Sequence, residues 1–343
     1  MKIMDRALGI IAPSSQVPRV ELKLGVHTLR EAGFQVKIHP QCFQSHLFFA
    51  GTDEERGEAF FEFAHDKELR ALWCARGGYG AIRLLPLLDA MTRKKGVPSK
   101  KLLIGYSDAT ALMEFVRQRW GWSTLHAPMP SFRKFSILPA SELQTLFQWI
   151  RGCPSQEPWS GKKLSFLGSF SPKSSLVAPL VGGNLTVWSA LLGSSFEGKS
   201  DDCILFLEDV DESLYRIDRM LHQLLNSKTV GKVKGIILGN FLNCRDYSPL
   251  VLKKAPSEKG KIRILKTPRP QELRPLRKVL PEGSGLCKIF SEFGLKLRVP
   301  VAFGLPVGHG PEMAPLPLGA IYQLSPQGEL YLRSWDWMGS SLI

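Results

Sequence analysis

Lys101-Leu-Leu-Ile-Gly-Tyr-Ser-Asp-Ala-Thr110 decides how this chain is read. Its apolar run stops at Gly105, and Leu112, Met113, Phe115, Val116 and Trp120 then recur at helical spacing. A strand that breaks at a glycine just before a helix begins is a βα junction, and Ser107 stands on it between the small residues Gly105 and Ala109. Two roles stay open for Ser107 here. A sharp elbow would lift its hydroxyl above the sheet, with the first N–H groups of the helix aimed at the atom it attacks. An ordinary helix N-cap would use the same residue type at the same place. The elbow's usual second glycine is Ala109 in this chain, so local sequence alone favours the cap and distant partners have to decide.

Outward from this junction the chain alternates. Strands are expected at Ala7–Ala12, Gln35–Ile38, Ala71–Ala75 and Leu102–Gly105, with helices at Val20–Ala32, Asp53–Asp66, Ala81–Leu88 and Asp108–Trp120. This pattern implies an α/β fold with a largely parallel sheet and helices on both faces, and ligands to such sheets lie beyond the carboxyl ends of the strands. Gly77, in Arg76-Gly-Gly-Tyr-Gly80, and Ser107 fall at such ends. The 343 residues suit two domains at ~150 residues each. Residues 1–151 form the first, 152–175 read as a Gly/Pro/Ser-rich linker, and 176–343 form the second. In the second, Gly182-Gly-Asn-Leu185 leads into a helix, followed by strand Cys203–Leu207, helix Ser213–Leu225 and strand Lys234–Leu238. A last strand and loop fill Leu297–Pro317, and terminal strands are expected at Ile321–Leu324 and Leu330–Leu332.

Composition narrows the function classes. The net charge of +14 resembles a nucleic-acid signal, yet Lys253–Lys278 alone holds ten Lys/Arg against two acids, a net of +8. This basic stretch lies in a Pro-rich insertion at about 250–283, read as an exposed loop, so nucleic acid is not the expected partner. The six cysteines show no C-x-x-C pair, which argues against zinc or redox chemistry. No apolar run reaches the ~18 residues of a membrane span, and the N-terminus reads as a first strand rather than a signal peptide. A cytoplasmic protein is expected.

A serine nucleophile needs a base, and the base needs an orienting acid. His309, in Gly308-His-Gly310, has flanking glycines that admit a ring to a crowded cleft; a turn histidine is the plainer reading. His126 is a second candidate for the base, with shaping the site or holding a backbone turn as its alternative reading. Glu208 is the first carboxylate after the apolar run Ile204–Leu207, and a carboxylate leaving a buried strand needs a partner; an acidic loop before a helix is its plainer reading. The turn Arg76–Gly80 can supply oxyanion donors, and it lacks the spacing of a nucleotide-binding loop.

Together these pieces resemble the LD-carboxypeptidase family of serine peptidases, which includes the microcin C immunity peptidases. The resemblance rests on Ala12-Pro-Ser-Ser15, Arg76–Gly80, Gly105-Tyr-Ser-Asp108, His126-Ala-Pro-Met129, Gly182–Leu185, Glu208-Asp209, Tyr215-Arg-Ile-Asp-Arg-Met220, Gly308–Gly310 and Leu316-Pro-Leu-Gly319, in that order. It implies a flavodoxin-like N-terminal domain carrying Ser107 as nucleophile. It also implies a smaller mixed β/α, swivelling-type C-terminal domain carrying Glu208 and His309. The backbone N–H groups of Gly77 and Asp108 would form the oxyanion hole. It further implies a homodimer without metal or other cofactor. The implied reaction is hydrolysis of the L,D-amide that releases terminal D-alanine from murein tetrapeptides, in cell-wall peptide recycling. Ala127 and Asp211 stand where the family usually has glycine. Two alternatives accompany this reading. One is a microcin-immunity-type peptidase acting on aminoacyl-nucleotide conjugates, for which Trp120, Trp122 or Trp159 would offer a stacking platform. The other is polyanion binding through the basic insertion.

Overall fold

A computed structural model describes residues 7–132, 135–168, 170–227, 229–245 and 284–337. The basic insertion at about 250–283 lies outside the described residues. The first part runs β1 (Ala7–Ile11), α1 (Arg19–Glu31), β2 (Val36–Ile38), α2 (Asp53–His65), β3 (Leu69–Cys74), α3 (Ala81–Lys95), β4 (Leu102–Gly105), α4 (Thr110–Trp120), β5 (Ser123–His126). Its strands pair in the order β2-β1-β3-β4-β5, all parallel. Helices cover both faces of such a sheet, so its strands read as unbroken apolar runs; every residue of β4 is buried. Local signals agree with the elements. Thr52 and Glu55 close a reciprocal capping box at the start of α2, and Gly121, left-handed with φ 63°, ends α4. Helix α3 continues past the expected Leu88, through Pro86, to a stop at Gly96. The strand order reverses between β1 and β3, and ligands to open α/β sheets bind at such a switch point.

The second part holds α5 (Ala140–Arg151), β6 (Ser165–Leu167), β7 (Leu176–Asn184), α6 (Leu185–Ala190), β8 (Ile204–Val210), α7 (Leu214–Ser227), β9 (Gly235–Leu242), α8 (Gly285–Leu297), β10 (Val301–Phe303), β11 (Leu316–Leu318), β12 (Ile321–Leu324), β13 (Leu330–Ser334). Strands β7, β8, β9 and β10 are parallel neighbours, extended by antiparallel β12 and β13 on one side and antiparallel β6 on the other. Both sheets together match the expected α/β class of a parallel N-terminal sheet and a mixed second sheet.

Two features tie the halves more closely than a chain of separate units. Strand β11 leaves the second part and pairs antiparallel with β5 at the edge of the first sheet, Leu316 opposite His126. One hydrophobic cluster runs from the first sheet into Ile204, Phe206, Ile237, Leu305 and Val307, while a second lies between the mixed sheet and helices α7 and α8. The stretch 152–175, read above as a linker, is packed chain as well. It carries β6, and it buries Trp159, whose Nε1 donates to Leu330 O at 3.0 Å. Its Gly, Pro and Ser content weakened the periodicity without removing these anchors.

Candidate active site

The junction after β4 is built around close backbone approach. A Cβ on Gly105 would lie 2.8 Å from that of Ala109, so the chain can turn this tightly only with glycine there. Tyr106 stays extended, and Ser107 adopts φ 61°, a left-handed conformation that costs a non-glycine residue about 1–2 kcal/mol. A short 3-10 turn, Ser107–Ala109, then feeds α4. No side chain caps this turn or α4, so the N-cap reading of Ser107 is not realised.

The loop Arg76–Gly80 lies against this junction. A Cβ on Gly77 would sit 3.1 Å from Ser107 Cβ and 3.2 Å from Ser107 Oγ. Several contacts hold the loop. Ser15 N donates to Gly77 O, and Ser15 Oγ accepts from Tyr79 N at 3.2 Å. Arg56, wholly buried, donates to Gly80 O at 3.0 Å and to Pro13 O. Asp108 is buried with its carboxylate on the first N–H of α3, from Ala81 at 2.8 Å. Burial raises the Asp108 carboxyl above its ordinary value, and the Ala81 hydrogen bond opposes that rise.

Strand β8 brings Glu208 to the same region with no exposed surface. Its Oε2 accepts from His309 Nδ1 at 2.7 Å and from His309 N at 3.2 Å. Its Oε1 faces Asn184 Nδ2 at 3.4 Å and His126 Nε2 at 3.8 Å. Burial by itself would raise the Glu208 carboxyl; the charge of His309 and the neighbouring His126 outweigh it and hold Glu208 well below the usual carboxylate range. For His309, desolvation lowers the ring's basicity and the Glu208 carboxylate raises it further, leaving the ring above its ordinary 6.5. The flanking glycines follow from packing. Gly308 has φ 108° and would place a Cβ 2.6 Å from Glu208 Oε2, and Gly310 would meet Asn240.

Ser107 and His309 line one cleft of about 340 Å³, together with Arg76, Gly77 and Tyr106. The Tyr106 ring packs on His309 with centroids 4.8 Å apart. No hydrogen bond joins Ser107 to His309 among the described residues; nucleophile–base contacts commonly tighten only when substrate is bound. His126 lies outside the cleft lining, buried beside Glu208, with its Nε2 3.8 Å from Glu208 Oε1 and without a closer hydrogen bond among the described residues. Trp120, Trp122 and Trp159 are all core residues and none lines the cleft. Asn184, whose Nδ2 also donates to Asp209 Oδ1 at 3.0 Å, was visible in Gly182–Leu185 without an assigned role. Arg76 was visible as the first residue of Arg76–Gly80 without a role of its own, and Arg56 and Glu21 were not singled out. Among the described residues no group of three or more His, Cys, Asp or Glu is arranged to hold a metal ion, and no helix is long and apolar enough to cross a membrane.

Comparison with known proteins agrees with this architecture. Residues 8–127 match the LD-carboxypeptidase N-terminal domain and residues 177–324 the LD-carboxypeptidase C-terminal domain. A probable murein peptide carboxypeptidase of Bacillus subtilis is 33% identical over 69% of this chain and 72% of its own length. The microcin C7 self-immunity protein MccF of Escherichia coli is 25% identical over 66% of this chain and 72% of its own. The crystal structure of muramoyltetrapeptide carboxypeptidase from Oxalobacter formigenes superposes with a TM-score of 0.69 at 26% identity, covering 94% of this chain and 97% of that one. The chain belongs to the LD-carboxypeptidase family, a family of serine-type peptidases.

Proposed function

We propose that this protein is a serine LD-carboxypeptidase that releases terminal D-alanine from murein tetrapeptides through Ser107, His309 and Glu208. The observation that carries the reading is the 2.7 Å bond from His309 Nδ1 to buried Glu208, on the wall of the cleft that also holds strained Ser107. With Nδ1 donating to the carboxylate, Nε2 is left to accept a proton. Ser107 Oγ attacks the carbonyl carbon before the terminal residue and its proton passes to His309. The backbone N–H groups of Gly77 and Asp108 stabilise the oxyanion. The C–N bond breaks, D-alanine leaves with the proton from His309, and an acyl-serine remains. Water then gives its proton to His309 and attacks the ester carbonyl; the tripeptide departs as Ser107 regains its proton.

The similarity to a murein peptide carboxypeptidase and to a muramoyltetrapeptide carboxypeptidase supports this substrate class. The similarity to MccF supports the runner-up, cleavage of aminoacyl-nucleotide conjugates by the same three residues. Trp120, Trp122 and Trp159 are buried and offer no stacking platform, while Tyr106 and Phe132 do line the cleft, so the murein peptide is preferred on the higher identity to the carboxypeptidase relative. We place the reaction in the cytoplasm, in cell-wall peptide recycling, with the enzyme as a homodimer, which light scattering on the purified protein tests. Incubation with murein tetrapeptide and mass spectrometry tests the activity. Loss of one alanine by the wild type, abolished in Ser107→Ala, is the expected result; an unchanged tetrapeptide overturns the proposal.

A further inference from the structure

The cleft is mostly neutral. Apart from His309, its ionisable side chains of fixed charge are Arg76 and Glu21, one of each sign, set among Tyr106, Met129 and Phe132. Arg76 directly precedes Gly77, whose Cβ position falls 3.2 Å from Ser107 Oγ, so its guanidinium springs from the loop beside the nucleophile. Its Nη1 donates to Gln16 O at 2.6 Å, which orients the planar fork and leaves its other N–H groups for a ligand. Glu21 stands in the first turn of α1, and Pro18, the residue before that helix, lines the cleft beside it. Opposite charges lining so small a space would ordinarily pair, yet among the described residues neither Arg76 nor Glu21 enters an ion pair. A favourable position at a helix N-terminus accounts for an acid at Glu21 but not for a cation facing the same cleft.

We infer that Arg76 and Glu21 read two opposite charges on the substrate. Arg76 takes the free carboxylate of the departing C-terminal residue, and Glu21 takes the side-chain ammonium of the residue whose carbonyl is attacked. This rests on the carboxypeptidase reading above and specifies it. Bidentate geometry suits a guanidinium to a terminal carboxylate close to the scissile bond. An ammonium is what lysine and diaminopimelate side chains share, so one acid serves both. A substrate lacking either charge leaves a cleft side chain unmatched and is discriminated against.

The test compares three peptides as substrates of the wild type, Arg76→Gln and Glu21→Gln: a murein tetrapeptide ending in L-Lys-D-Ala, its C-terminal amide, and its Nε-acetyl-lysine analogue. The wild type is expected to lose about 10–100-fold in kcat/KM on either neutralised peptide, the range of one charge-assisted hydrogen bond. Arg76→Gln should lose that amount on the free acid, mainly in KM, and no longer distinguish acid from amide. Glu21→Gln should likewise stop distinguishing lysine from acetyl-lysine. Each variant should keep the other discrimination, which a general folding defect would not spare. Variants that discriminate as the wild type does overturn the inference while the activity stands. A wild type that cleaves none of the peptides overturns the underlying function as well.

Discussion

His309 gives two hydrogen bonds to a single oxygen of Glu208, from its ring Nδ1 at 2.7 Å and from its own backbone N–H at 3.2 Å, across 101 residues of sequence. The pair of bonds fixes both the position of the ring and its tautomer. The carboxylate that accepts them is wholly buried, so little solvent screens its hold on the imidazole. An arrangement of this kind selects one proton-accepting nitrogen and stabilises the imidazolium formed when it accepts.

Glu208→Gln keeps the shape of the side chain and removes its charge. We expect kcat to fall by about 10²–10⁴-fold with KM little changed, since the loss falls on the proton-transfer step. Steady-state release of D-alanine measures it. A variant with near-normal kcat would mean that Glu208 only holds the loop of His309 in place.

The pH profile follows from the same pair. In the proposed mechanism His309 must be neutral to accept the Ser107 proton, and Glu208 holds its ring above the ordinary 6.5. Activity should therefore rise with pH through a value above 6.5, and in Glu208→Gln this limb should move to lower pH. Stability has the opposite dependence for this group. A raised histidine contributes fully below its unfolded value, and that contribution is lost as pH rises through the folded one. Glu208 is depressed, so its share is present above the unfolded value of 4.5 and fades as pH falls through its folded value. Thermal unfolding of the wild type and Glu208→Gln should converge as pH falls through the folded value of Glu208, and the gap between them should narrow as pH rises through the folded value of His309.

Two glycines separate catalysis from folding. Gly77→Ala places a methyl 3.1–3.2 Å from the Cβ and Oγ of Ser107 and the end of Met129, a contact that small shifts relieve. If its N–H is the proposed oxyanion donor, this should lower kcat about 10–10³-fold and leave the unfolding midpoint nearly unchanged. Gly308→Ala meets Glu208 at 2.6 Å from a φ of 108°, and should cost about 1–3 kcal/mol of stability together with activity. Denaturant titration beside kinetics distinguishes the two; equal destabilisation by both would contradict the assignment.

Much of this site could be read from the chain because its residues are forced by local geometry. Gly105 marks the turn, Gly308 and Gly310 mark packing against Glu208 and Asn240, and Glu208 follows an apolar run inside buried strand β8, which continues past the expected Leu207 to Val210. Other parts depend on contacts that no local pattern encodes. Buried Arg56 ties Pro13 to Gly80, and Arg76 and Glu21 share a cleft only after two loops and α1 converge. Strand β6 is three residues long and gains its pairing from β10, far along the chain. Helix α8 was missed despite a capping serine, Ser284, and apolar residues at Leu286, Phe290 and Phe293, because the adjoining Pro-rich stretch masked its start.

One of the contacts between the two sheets lies directly between the elements that carry Ser107 and Glu208. Thr110 opens α4, three residues after Ser107, and its Oγ1 accepts from Asn184 N at 3.1 Å. Asn184 ends β7, beside Glu208 in register on β8, and Gly183 is bare because a Cβ there would meet Thr110 Oγ1 at 2.7 Å. Thr110→Val keeps the volume and strips the acceptor. The buried Asn184 N–H then loses its partner, at a cost of about 1–3 kcal/mol. If this contact sets the register between nucleophile and acid, kcat should fall about 10-fold or more at temperatures well below unfolding, while Thr110→Ser retains both stability and rate. A variant that melts earlier but turns over normally would show that the contact serves stability alone.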